Sequence, residues 1–62
     1  MDYYYFEIIS EGSYVEGKQF LVEARDMKQA QHFAEYYFPN KKLICYGIIS
    51  KVEADILDLS IY

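Results

Sequence analysis

The chain has 62 residues, 53% of them hydrophobic and 19% aromatic, with eight Tyr, four Phe and no Trp. A chain of this length holds one domain, expected over residues 1–62, and buries only about 60% of the surface its unfolded form exposes. The net charge of −4 disfavours general attraction to nucleic acid or an anionic membrane, and a single cysteine, Cys45, excludes an internal disulfide.

Residues 3–9, Tyr-Tyr-Tyr-Phe-Glu-Ile-Ile, are aromatic and β-branched and predict a strand. Ser10, Glu11, Gly12 and Ser13 supply a turn, with Gly12 free to take a positive φ. The run 14–24 alternates over its later half, with Phe20, Val22 and Ala24 on one face and Gln19, Leu21 and Glu23 on the other. Gly17 marks a bulge or a looser start to this second strand. Asp26 reads as a helix N-cap, and Gln29, three residues on, can reach back as in a capping box. Met27, Ala30, Phe33, Ala34 and Tyr37 then recur at helical spacing, while Lys28, Gln31, His32 and Glu35 fall on the polar side. Pro39 disfavours helical geometry at Phe38 and ends the helix, leaving Asn40, Lys41 and Lys42 as a loop.

Residues 43–52 are apolar again and predict a third strand with Gly47 inside it. Glu53, Ala54 and Asp55 read as a bend, after which Leu57, Leu59 and Ile61 alternate with polar residues and Tyr62. The tail therefore adds a short fourth strand or extends the third past a bulge. The fold class is α+β, ordered ββαβ, or ββαββ if the tail forms a strand. A third strand parallel to the second, reached by a right-handed helical crossover, gives a small antiparallel or mixed sheet of order 2-1-3 with one helix packed on one face. Tyr4, Phe6, Ile8, Phe20 and Val22 are then expected to meet Ala30, Phe33, Ala34 and Tyr37. That leaves Tyr3, Tyr5, Ile9, Leu21 and alternate residues of 43–52 lining the other face. A contiguous apolar face of that kind is usually covered by a partner.

Catalytic chemistry has little to draw on. His32 stands on a polar helix face with no Ser or Cys at a pairing distance in sequence, and Cys45 lies in an apolar strand where a thiol is inert. The glycines are scattered and cradle no phosphate. One Cys and one His fall short of a zinc site, and Glu53, Asp55 and Asp58 lack the calcium-loop pattern. No enzyme activity, cofactor or metal is expected. The N-terminus has no basic leader pattern and no stretch is apolar enough to span a membrane, which points to the cytoplasm.

The stretch from Phe20 to Phe38, FLVEARDMKQAQHFAEYYF, follows a strand ending in Val-Glu-Ala with a polar cap and an amphipathic helix. With the preceding hairpin it resembles the DpnD/PcfM type of small ββαβ proteins over residues 3–52. That resemblance implies a phage or mobile-element setting and assigns no functional residues.

Charge is unevenly spread. Residues 1–23 balance to −4, residues 24–51 to +3 and residues 52–62 to −3. Tyr3, Tyr5 and Tyr14, rimmed by Glu7, Glu11, Glu16, Asp55 and Asp58, are therefore the expected contacts of a protein-binding surface, since Tyr suits interfaces. The partner is a host protein, which the chain modulates or inhibits. The alternative is a homodimeric accessory domain joined through the open sheet face. Single-stranded nucleic-acid binding ranks below both, using Tyr3, Tyr5 and Tyr46 as stacking platforms and Arg25, Lys28, Lys41, Lys42 and Lys51 as a positive edge.

Overall fold

The computed structural model describes residues 1–9 and 17–62. The turn expected at 10–13 and the opening of the second strand at 14–16 lie outside the described residues. The elements are β1 (Asp2–Ile9), β2 (Lys18–Ala24), α1 (Met27–Tyr37), β3 (Lys42–Ile49) and α2 (Lys51–Leu57). The sheet order is β2-β1-β3, with β1 central and antiparallel to both neighbours. The helix between the parallel outer strands makes this the expected α+β arrangement.

Parity on β1 follows the register. Tyr4 lies opposite Val22, and Phe6 opposite Phe20. These residues, with Ile8 and Ala24, are buried against Ala30 and Ala34 of α1, while Phe33 and Phe38 pack around them. Two small residues one helical turn apart let α1 lie close to the large side chains of the sheet. Tyr37, expected in this core, is half exposed and meets Tyr62 instead, ring centroids 5.0 Å apart.

Phe20 is the hub of the α1-side core. Its ring stacks on Phe6 at 5.4 Å, tilts against Phe38 at 4.5 Å and takes the edge of Tyr62 at 5.7 Å. Those contacts join β1, β2, the end of α1 and the C-terminal tail. Each such aromatic pair adds about 0.5–1.5 kcal/mol beyond simple burial.

The caps of α1 form largely as expected. Asp26 accepts the Gln29 N–H at 2.8 Å, and Gln29 Oε1 accepts the Arg25 N–H at 2.9 Å. The return bond thus goes to the residue before the cap. Phe38 closes the helix by donating its N–H to the Ala34 carbonyl at 2.9 Å, and Pro39 follows.

The third strand stops three residues short of the expected run. Ser50 caps a second helix, α2, with its side chain accepting the Glu53 N–H at 3.1 Å. Glu53 in turn accepts from the Ser50 backbone at 3.3 Å and from its hydroxyl at 3.1 Å, a complete capping box. Glu53, Ala54 and Asp55 are therefore mid-helix and not a bend. Asp58 ends α2 in the left-handed region at φ 52°, a conformation that Asp tolerates better than most residues.

Beyond α2 the tail does return to the sheet, but along β2. Leu21 donates to the Ser60 carbonyl at 2.9 Å, Tyr62 donates to the Leu21 carbonyl at 2.8 Å, and Glu23 donates to the Tyr62 carbonyl at 2.9 Å. Ile61 pairs with Leu21 in parallel. The tail thus contributes one bridge in place of a full fourth strand.

α2 contacts β1 on the face opposite α1. The face expected to stand open therefore has a partial cover from the same chain. Leu21, expected on that open face, is 0% exposed, and Ala54 of α2 is also buried.

β3 carries a bulge where its register against β1 shifts between Tyr5 and Phe6. Tyr46 is the additional residue, and Gly47 beside it has φ 113°. A Cβ at Gly47 would meet nothing within 4 Å, so only backbone conformation reserves this site for glycine. At the hairpin, Gly17 has φ 83° and donates its N–H to the Ile8 carbonyl at 3.1 Å. It thus turns the chain just ahead of β2 and lies outside the strand itself.

Two substitutions test these assignments. Phe20→Ala removes about 3–5 kcal/mol from a chain whose size class is stable by about 3–9 kcal/mol, so circular dichroism should show most of the fold lost at room temperature. Gly47→Ala should cost about 1–2 kcal/mol with an unchanged urea m-value. The D-enantiomer of alanine at the same position, introduced by chemical synthesis, should cost far less. Equal losses from both enantiomers would mean that packing, and not φ, governs the site.

Candidate functional site

The expected contact residues fall into three groups. Tyr3, Tyr5 and Glu7 share the α2 side of β1 and are half-buried. Asp55 and Asp58 are exposed on and just after α2. Tyr14, Glu11 and Glu16 lie outside the described residues.

The β1 group is bound together by a residue not singled out for the protein-binding surface. Tyr46, at the bulge, stands 5.2 Å from Tyr5, ring centroid to centroid. Its hydroxyl donates to Glu7 Oε1 at 2.7 Å, the distance of a charge-assisted bond. Gln19 Nε2 reaches the same oxygen at 3.4 Å. Glu7 thereby ties β3 and β2 to the central strand from one oxygen. The Glu7 bond, with some desolvation and the carboxylate's charge, pushes the Tyr46 phenol above its ordinary 10.0. Without the bulge, parity along β3 would have placed this ring elsewhere.

Next to this cluster lies a cleft of about 270 Å³ lined by Tyr5, Ile49, Glu53, Ile56 and Leu57. Around it, Ile44 and Leu57 are each 39% exposed, Tyr46 55%, Val52 68% and Ile56 76%. Val52 and Ile56, one turn apart on a helix, form an apolar stripe turned away from the core. The capping-box signature Ser50-x-x-Glu53 is the sequence signal that would have revealed this helix and its stripe.

At the edge of this surface, Lys51 Nζ lies 5.9 Å from the centre of the Tyr3 ring and 3.9 Å from Asp55 Oδ1. Both Lys51 and Asp55 are well exposed, so their pair contributes little to stability. It does hold a carboxylate beside an aromatic ring. The α2 side of the protein therefore brings together Tyr, Ile and Leu with Glu7, Glu53 and Asp55.

A second cleft of about 360 Å³ opens at the start of α1, lined by Arg25, Asp26, Lys28, Gln29, His32 and Phe33. It gathers part of the expected positive edge, but Asp26 stands among the bases, 3.7 Å from Arg25 Nε. His32 is exposed, as expected of the polar helix face. Cys45 is half-buried and donates its thiol to Met27 Sδ at 3.3 Å.

Among the described residues no group of three or more His, Cys, Asp or Glu side chains is placed to hold a metal ion. Nor is any helix among them long and apolar enough to cross a membrane. Comparison with protein-family models, with curated proteins and with solved structures finds no match for the chain.

The Glu7–Tyr46 bond has a signed pH consequence. A phenol whose folded pKa is raised lends stability that is whole below the unfolded value of about 10 and is lost as pH rises through the folded value. In ¹³C-tyrosine NMR, the Tyr46 ring carbon should titrate above 10.0 and move back toward it in Glu7→Ala. Tyr46→Phe should flatten part of the stability loss in base. An unshifted Tyr46 midpoint in Glu7→Ala would show that the bond does not form in solution.

Proposed function

We propose that this chain is a small, acidic, non-enzymatic interaction module that binds a protein partner through the α2 side of its sheet. The observation that carries this reading is the exposed apolar surface of Tyr46, Ile56 and Leu57 around the cleft beside Tyr5, bordered by Glu7, Glu53 and Asp55. An aromatic and aliphatic centre with a charged rim is the usual anatomy of a protein interface. Exposed hydrophobic residues grouped in this way are uncommon on a small protein that works alone.

The partner suited to it is a host protein with a basic patch, such as a nucleic-acid-processing or defence protein. Carboxylates at the rim then occupy positions where phosphates otherwise bind, and the outcome is modulation or inhibition. A phage or mobile element, acting in the cytoplasm, is the setting this reading assigns, and the resemblance of residues 3–52 to DpnD/PcfM-type proteins is what supports it. The role needs no cofactor.

The homodimeric alternative through the open sheet face loses ground because α2 lies over part of that face. Single-stranded nucleic-acid binding is weaker still, since Tyr5 and Tyr46 sit beside Glu7 and not beside a row of bases.

The test is affinity capture from a bacterial lysate followed by mass spectrometry, with the intact chain and its Ile56→Asp variant side by side. A basic protein retained by the first and lost by the second, with unchanged circular dichroism, supports the reading. Binding in purified form should weaken as salt rises, through loss of electrostatic steering. Capture that is identical for both chains would remove the α2 side as the binding surface.

A further inference from the structure

Four of the five side chains lining the cleft beside Tyr5 are apolar or aromatic, and the fifth is a carboxylate. Tyr5 stands on the central strand, Ile49 at the end of β3, and Glu53, Ile56 and Leu57 on α2. At about 270 Å³ the cleft is smaller than the roughly 300–1,000 Å³ of sites that hold a whole small-molecule ligand. It suits one long side chain, the kind of group that anchors a protein interface.

The carboxylate has an oxygen to offer. Glu53 caps α2 by accepting from the Ser50 backbone at 3.3 Å and the Ser50 hydroxyl at 3.1 Å, and both bonds fall on Oε1. The cap therefore leaves Oε2 for a ligand. Charge near the cleft is also one-sided. Glu7 shares the Tyr5 face of β1, whereas Lys51 is paired with Asp55 at 3.9 Å. Arg25 and Lys28 line the other cleft, at the start of α1, and no base lines this one.

The same surface already holds one cation in such a setting. Lys51 Nζ lies 5.9 Å from the centre of the Tyr3 ring, with Asp55 in reach, so a positive head sits near an aromatic ring and a carboxylate together. Tyr3 and Tyr5 share one face of β1. The cleft repeats the pairing with Tyr5 and Glu53, and its lining contains no cation to complete it.

We propose that this cleft receives one arginine side chain of the protein partner. The methylene stem lies against Ile49, Ile56 and Leu57, and the guanidinium meets the Tyr5 ring and Glu53 Oε2. Such recognition rests on the reading that the α2 side binds a protein, and it names the residue by which that partner is held.

The lining favours arginine over other anchors. An aliphatic or aromatic anchor fills the apolar part but strips water from Glu53 with nothing in exchange. An acidic anchor meets a carboxylate. Lysine brings a compact, strongly hydrated ammonium, whereas a guanidinium is weakly hydrated, stacks on aromatic faces and donates from several N–H groups at once. Arginine is also enriched at interfaces and lysine depleted.

NMR titration of the ¹⁵N-labelled chain with the capped tripeptide acetyl-Gly-Arg-Gly-amide tests this, beside the same peptide with lysine or norleucine at its centre. The arginine peptide should shift the amide signals of Tyr5, Ile49, Glu53, Ile56 and Leu57 and bind more tightly than either control. Glu53→Gln keeps the capping box, because Gln serves there as Glu does. It should weaken the arginine peptide about three- to fivefold and leave the norleucine peptide unchanged. Equal affinity for the arginine peptide and either control overturns the proposal, as does an arginine affinity that Glu53→Gln leaves intact. An absence of shifts at these five residues overturns it too. Lysate capture separates this idea from the one beneath it. A partner lost in Ile56→Asp and fully retained in Glu53→Gln leaves the α2 side as the binding surface and removes arginine as its anchor. Capture that Ile56→Asp does not change removes the surface itself, whatever the peptides do.

Discussion

The fold depends on β2 being closed on both faces and along one edge. Phe20 and Val22 meet α1, Leu21 points to the side of α2, and the backbone of Leu21 and Glu23 holds the tail. Phe20 adds the ring contacts that draw Phe6, Phe38 and Tyr62 into one cluster. A chain of this length has no disulfide to fall back on, so this strand supplies the constraint that a staple supplies in other small domains. The location of the surface sites follows. Burial is deepest in β2, where four residues are buried, and shallowest in β3, where none is.

Much of this was legible in the residues. β1, β2 and α1 carry local signals that agree with their tertiary roles: alternation in β2, an Asp26 cap, Ala30 and Ala34 at helical spacing, and Pro39 as a stop. Agreement between local and global preferences is what makes such elements readable. α2 was hidden because Ile48, Ile49 and Val52 continue the apolar run of β3 across Ser50. Hydrophobic continuity there outweighed a capping box only four residues long. Its side chains also give no inward stripe, since Val52 and Ile56 face out and only Ala54 is buried. A helix of two turns held by one small residue has little amphipathic pattern to detect.

The candidate site was half legible for a related reason. Tyr3, Tyr5 and Glu7 share a face by strand parity alone. Tyr46 reaches the same cluster only because a bulge inserts one residue into β3, and parity counted along the sequence breaks at such a point. Gly47 was visible as a glycine inside a strand, a signal of a bulge, but nothing local says which neighbour it will re-aim. That choice is settled across the sheet, where Glu7 offers an acceptor to the Tyr46 hydroxyl.

The surplus of apolar residues relative to core capacity thus has a definite location. Part of it is taken up on the α2 side, where Leu21 and Ala54 are buried, and the tail absorbs more by seating Tyr62 against Phe20. What remains lies on β3 and the outward side of α2. These are the last regular elements before the tail. Moving Tyr62 away from Phe20 would expose a ring at the best-buried strand, whereas Ile44, Tyr46 and Ile48 of β3 are already exposed. The interior is therefore committed to β2, and the surface at β3 is free to take a contact without cost to the core.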